Sequence, residues 1–306
     1  MGQLGRARPL PAAVTATLGQ VLDEELASRL PPIARLVVDP AVRTVAVPLS
    51  AKTRPTGLGI LPRGSVADIG QHMRFFVYWK QREERTDYDL SVLLLDDDFL
   101  DVGQVSWTNL HHRGVVHSGD ITEAPRGASE FIDLDLFSVA ARYVVPQVNV
   151  FAGEGFDEVD EAFFGFMQRD PGQRGRPFEP RTVRAKSDLF GSGWVALPVI
   201  FGRGDDGTWR ATWMHLTLRG SPQFNRVEAN RLSTSRLVRG IVERQYLRMT
   251  YIEDLIRGTG ATVDAWPTEL DPETPVTYLG LEREEDLPAG STFFTPVNLH
   301  ELLGSA

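Results

Sequence analysis

The sequence predicts a mainly-β fold, a two-sheet antiparallel sandwich, on three observations. Between Ile60 and Leu218, eight short runs of β-forming residues are separated by turn residues. The helical patterns that would link neighbouring parallel strands are missing between them. Gly204-Asp205-Asp206-Gly207, between the last two runs, is a hairpin signal.

The eight runs are Met73–Trp79, Leu90–Leu95, Gln104–Thr108, Phe131–Leu136, Tyr143–Phe151, Val183–Asp188, Trp194–Phe201 and Trp209–Leu218. One helix is expected to interrupt them, over Asp157–Met167. Asp157 suits an N-cap there, and Val159, Phe163 and Met167 share one helical face.

Helical flanks are expected on both sides. Val14, Leu18, Leu22, Leu26 and Leu30 recur every four residues, an amphipathic helix stopped by Pro31-Pro32. Thr44–Leu49 reads as a short strand. Beyond Gly220, Val238, Ile241, Val242, Met249, Ile252 and Ile256 keep helical spacing, as one long or two shorter helices. The tail reads as strands at Val276–Leu281 and Thr292–Thr295 and a short helix at Leu299–Leu303, a small α/β unit. The segments are therefore 1–56 (helical lead and linker), 57–220 (sandwich), 221–270 (helical) and 271–306 (α/β tail).

Bulk composition narrows the function classes. With 42% hydrophobic and 24% charged residues, the 306-residue chain has ordinary globular composition. It has no cysteine, which removes disulfides, thiolate zinc sites and thiol nucleophiles and suits a reducing, cytoplasmic setting. No signal-peptide pattern or membrane-length apolar run is present. The net charge of -9 disfavours non-specific nucleic-acid binding by the whole protein. Only three of the 32 basic residues are lysine (Lys52, Lys80, Lys186), for which arginine-rich codon bias is a sufficient explanation.

The sequence carries no phosphate loop, dinucleotide fingerprint, His-Glu-x-x-His or nucleophile elbow, so no catalytic residue is assigned and a non-enzymatic role is expected. Carboxylate placement stands out instead. Asp87 and Asp89 lie two apart at the mouth of a strand and so point to one face. His117-Ser118-Gly119-Asp120-Ile121-Thr122-Glu123 follows as a polar loop, and Ser129-Glu130 precedes the next strand. Acids gathered at one end of a sandwich suit a hard cation such as calcium, which takes 6–8 oxygens from irregular loops. Ordinary solvated loop acids would give the same spacing. An EF-hand is excluded, because Asp87-Tyr88-Asp89-Leu90 lacks the third ligand and the turn glycine.

The order of motifs resembles a known family. Leu61-Pro62-Arg63-Gly64-Ser65-Val66 leads to Phe75-Phe76-Val77-Tyr78-Trp79, then Asp87-Tyr88-Asp89-Leu90-Ser91 and Trp107-Thr108-Asn109-Leu110. Val116-His117-Ser118-Gly119-Asp120, Glu130-Phe131-Ile132-Asp133-Leu134 and Phe156–Phe163 follow, and Trp194–Trp213 looks like a closing strand pair. Over about residues 57–218 this resembles the TerD-like domain of the tellurium-resistance and stress-response family. The flanks are similar to the C-terminal part of larger multidomain bacterial proteins that end in such a module.

The resemblance implies a jelly-roll-like sandwich that binds calcium at its loop end. It also implies an adaptor or scaffold role, with protein partners, in a bacterial stress-response, tellurite-resistance or defence assembly. Two departures bear on the metal: Ile121 replaces the family's Asn, and residues 122–130 carry fewer acids. One weak Ca²⁺ site is the expectation, held by Asp87, Asp89 and Asp120, with Glu130 and Asn109 completing the shell.

Three other readings stay open from the residues. His111, His112 and His117 could hold a transition metal. The C-terminal α/β unit could carry an enzyme or nucleotide-binding activity. The arginines of 226–257 could form a nucleic-acid face, although Glu228, Glu243, Glu253 and Asp254 interleave with them.

Overall fold

Alternation builds the central strands. Met73, Phe75, Val77 and Trp79 are apolar at every second position and enter one core, while Arg74, Tyr78 and Lys80 occupy the opposite face. The computed structural model describes residues 10–47, 61–173, 182–220 and 226–302. Its elements run α1 (Ala12–Arg29), β1 (Arg35–Val38), β2 (Val66–Asp68), β3 (His72–Lys80), β4 (Asp87–Leu95), β5 (Asp101–Val105), β6 (His111–His112), β7 (Val115–His117) and β8 (Ala128–Asp135). They continue through β9 (Tyr143–Ala152), β10 (Glu161–Gln168), β11 (Val183–Asp188), β12 (Val195–Arg203), β13 (Trp209–Leu218), α2 (Val227–Val242) and α3 (Met249–Gly258). The last elements are β14 (Thr262–Ala265), β15 (Thr277–Leu279), β16 (Thr292–Phe294) and α4 (Leu299–Leu302).

The chain divides into two compact units, one of residues 44–247 and one made from both flanks, 1–43 and 248–306. The larger unit holds two six-stranded antiparallel sheets, ordered β11-β10-β3-β8-β7-β6 and β2-β13-β12-β9-β4-β5. Phe75, Trp79, Phe164 and Phe166 from the first sheet pack against Tyr88, Leu90, Phe201 and Trp213 from the second in one apolar core. This is the expected sandwich. On the other face of the second sheet, Leu93, Leu95, Val145, Leu197 and Met214 pack beneath Val227, Val238 and Ile241 of α2.

Three expected elements differ. The helix over Asp157–Met167 is instead a turn followed by strand β10. Ala162, Phe164 and Phe166 enter the core at every second position, and β3 and β11 pair with both edges of the strand. The i, i+4 set Val159, Phe163, Met167 was the competing period, and the period of two won because it buries two phenylalanines between the sheets. No strand element forms at the described part of the expected Thr44–Leu49 run, and the strand β1, at Arg35–Val38, was not expected. Pro40–Thr44 is a 3-10 turn, and residues 48–49 fall outside the described ones. The apolar row of α1 is not buried: Val14, Leu18 and Leu22 are exposed.

The two flanks are halves of one unit rather than separate segments. β1 pairs in parallel with β14 and β15, and β15 with β16, giving the order β14-β1-β15-β16. Its core joins Val37, Val276 and Tyr278, with Trp266 and Phe293 packed against them. The helical stretch expected at 221–270 is likewise shared out. α2 belongs to the sandwich unit and α3 to the flank unit, where Arg43 forks onto Glu253 at 2.8 and 3.1 Å.

Candidate cation site

Strand β4 sets the site. Tyr88, Leu90, Val92 and Leu94 enter the core between the sheets, so Asp87, Asp89 and Ser91 take the opposite face. The strand begins at Asp87 because the turn before it is clasped. The Glu154 carboxylate accepts the N–H groups of Arg82 and Glu83 at 2.7 and 2.8 Å, and the Trp79 indole N–H donates to the Thr86 carbonyl at 3.0 Å. Backbone donors hold the Glu154 carboxyl below its ordinary range, outweighing burial.

Asp120 arrives from the loop after β7, and one oxygen from each of Asp87, Asp89 and Asp120 lies within 4.8 Å of the others. Oxygens about 2.4 Å from a shared calcium can be up to about 4.8 Å apart, so the spacing fits one ion. Asp89 is 4% exposed, and Asp87 Oδ1 and Asp89 Oδ2 are buried with no hydrogen-bond partner. Burial, followed by the neighbouring Asp87, Glu130 and Asp120, pushes Asp89 up to about 8, with Arg226 opposing. Burial and the charges of Asp120 and Glu130 raise Asp87 to about 6 against Arg85. These acids are held where their own charge is disfavoured, a cost that a cation removes.

The other two expected ligands have different surroundings. Glu130 is fully buried and lies outside the trio: its Oε2 accepts the Leu90 N–H at 2.8 Å and its Oε1 accepts the Ile121 N–H at 2.9 Å. Burial pushes its carboxyl above the ordinary range, with His117 and the two backbone donors opposing. Asn109 serves its own turn. Its side-chain amide donates to the Gln104 carbonyl at 2.8 Å, and its backbone exchanges hydrogen bonds with Ser106.

The three histidines do not gather. His111 and His112 are neighbours on β6 and point to opposite faces, while His117 is buried, with Nε2 on the Leu90 carbonyl at 2.8 Å and Nδ1 accepting the Gly119 N–H at 3.0 Å. Among the described residues the aspartate trio is the one group of metal-ligating side chains found. Several arginines of the expected nucleic-acid face are engaged within the chain. Arg231 pairs with Asp101, Arg239 with Glu243, and Arg257 with Glu253 and Asp254, while Arg226 lies 5.1 Å over the Trp107 ring.

Sequence reasoning missed the polar row beside the trio. Asn149 on β9 stands opposite Asp89 and Gln147 opposite Ser91. The Asn149 amide donates to Ser91 Oγ at 3.1 Å, leaving its Oδ1 without a partner, as are both amide atoms of Gln147. The available signal was polar residues at alternate positions of the otherwise apolar run Tyr143–Phe151. Arg226, counted only as part of a basic stretch, is the arginine whose charge reaches Asp89.

No helix among the described residues is long and apolar enough to cross a membrane. No family model and no curated protein matches the chain. Among solved structures, a protein of unknown function aligns over 52% of this chain and 96% of its own, at 18% identity and a TM-score of 0.41. A homologue of telluride resistance protein (TerD) from Streptomyces coelicolor A3(2) aligns over 50% of this chain and 92% of its own, at 13% identity and a TM-score of 0.40.

Proposed function

We propose that the sandwich unit is a TerD-like, calcium-binding module that acts as a non-enzymatic adaptor or scaffold in a bacterial stress-response, tellurite-resistance or defence assembly. The carrying observation is the aspartate trio, with one oxygen of each within 4.8 Å of the others, in which Asp87 and Asp89 each also have a buried oxygen without a hydrogen-bond partner. The adaptor role rests on the ordered motifs from Leu61 to Asp120 and on the resemblance they carry. A hard, oxygen-loving divalent cation suits three carboxylates better than a soft metal, and the absence of cysteine agrees.

Thermal unfolding of the whole chain in Ca²⁺, Mg²⁺ or EDTA tests this reading. At a hundredfold excess over the dissociation constant, binding stabilises by about 2.7 kcal/mol. For a domain of this size that corresponds to about 5–10 °C in Tm. Asp120→Ala removes the response. A wild-type Tm indifferent to Ca²⁺ makes the domain a plain scaffold.

A second reading attaches to the flank unit. Ligands of open parallel sheets bind outside the carboxyl ends of the strands, where the strand order reverses. In β14-β1-β15-β16 that point lies between β1 and β15, followed by Asp39 and Gly280. A nucleotide screen belongs on the whole chain, since β1 and β14 complete the sheet that residues 271–306 only begin.

A further inference from the structure

Within the calcium reading, we infer that Glu130 is the positioning residue of the cation site, a clamp between the two sheets and not a ligand. The ladder between β4 and β5 spans Val92–Leu95 on β4, so it stops short of Leu90. Both backbone groups of Leu90 are met instead by side chains from the opposite sheet. Glu130 of β8 accepts its N–H at 2.8 Å, and Nε2 of His117, at the end of β7, lies 2.8 Å from its carbonyl. His117 Nδ1 accepts the Gly119 N–H, so Nε2 carries the proton and donates to that carbonyl.

The second oxygen of Glu130 accepts the Ile121 N–H at 2.9 Å. Leu90 directly follows Asp89, and Ile121 directly follows Asp120. One carboxylate therefore grips the peptide units adjoining two of the three acids, one on a strand and one on a loop. Ser118 tightens the same loop, its hydroxyl accepting the Phe131 N–H at 2.9 Å and its backbone N–H donating to the Phe131 carbonyl at 2.8 Å. Glu130 and His117 are both fully buried at the side chain, 3.5 Å apart. With both oxygens committed to backbone donors, Glu130 fixes the Asp89–Asp120 spacing before any ion arrives. Groups that orient ligands in this way are worth about 10–100-fold in metal affinity.

The test uses the whole chain as wild type, Glu130→Gln and Glu130→Asp. Glu130→Gln keeps the size and replaces one acceptor by a donor, while Glu130→Asp keeps the charge and shortens the reach, so one of them reports if the other fails to fold. Three quantities are read: the Ca²⁺ dissociation constant, the number of waters on bound Tb³⁺ from its luminescence lifetime, and amide exchange at Leu90 and Ile121 in EDTA. The expected result is a dissociation constant raised about tenfold or more, an unchanged water count, and faster exchange at both amides without metal. An unchanged dissociation constant, or a water count higher by about one as for a lost ligand, overturns the assignment. Exchange unaltered in EDTA also overturns it. If wild type binds no cation while the variants still speed exchange, the calcium reading fails and the clamp stands.

Discussion

Trp79→Ala is expected to destabilise the sandwich unit by about 3–5 kcal/mol, the usual loss for a buried large aromatic. Trp79 is fully buried and stacks on Tyr88, with ring centroids 5.6 Å apart. Its indole N–H also satisfies the Thr86 carbonyl, so truncation leaves an acceptor unpaired beside the start of β4. Urea unfolding followed by far-ultraviolet circular dichroism reads the loss. Because Thr86 directly precedes Asp87, the same variant loosens the first acid of the trio, and its Ca²⁺ response weakens beyond what stability alone explains.

Asp89→Asn is expected to raise the stability of the metal-free protein above neutral pH and to abolish its response to Ca²⁺. Burial and its acidic neighbours raise the Asp89 pKa from the ordinary 3.8 to about 8. A carboxyl whose pKa is raised by folding is protonated more readily in the folded state. Its contribution is therefore fully present below the unfolded value and is lost as pH rises through the folded one. Each pKa unit is worth about 1.4 kcal/mol, so the penalty of the cation-free site builds up as pH rises from the unfolded value towards the folded one and is complete only above it. In EDTA, wild-type Tm falls from about pH 5 to about pH 9, and Asp89→Asn flattens much of that slope. In saturating Ca²⁺ the order reverses, and wild type melts higher. A variant less stable than wild type in EDTA at the alkaline end would show that the trio is not strained.

The sandwich and the gathering of three aspartates were both legible in the sequence. Asp87 and Asp89 were visible because a period of two fixes their common face, and the Ser-Gly-Asp turn brought in Asp120. Glu130 could not be placed, because spacing says that an acid lies nearby but not which donors its oxygens meet. Asn109 fitted the motif, yet its amide serves its own turn. Strands such as Val183–Asp188 and Trp209–Leu218 were readable from alternation and turn residues. β10 was not, because its phenylalanines satisfy both periods and only pairing with β3 and β11 decides. The flank unit was hidden for another reason. Parallel pairing of Arg35 with Thr262 joins residues on either side of the whole sandwich, and no local pattern records such a contact.

The most direct measurement is a crystal structure grown in millimolar Ca²⁺ near neutral pH, examined for density among Asp87, Asp89 and Asp120. The account predicts one ion there, with an oxygen of each aspartate at about 2.3–2.6 Å and Glu130 still on the Leu90 and Ile121 amides. Three aspartates holding only water at that calcium concentration would contradict it.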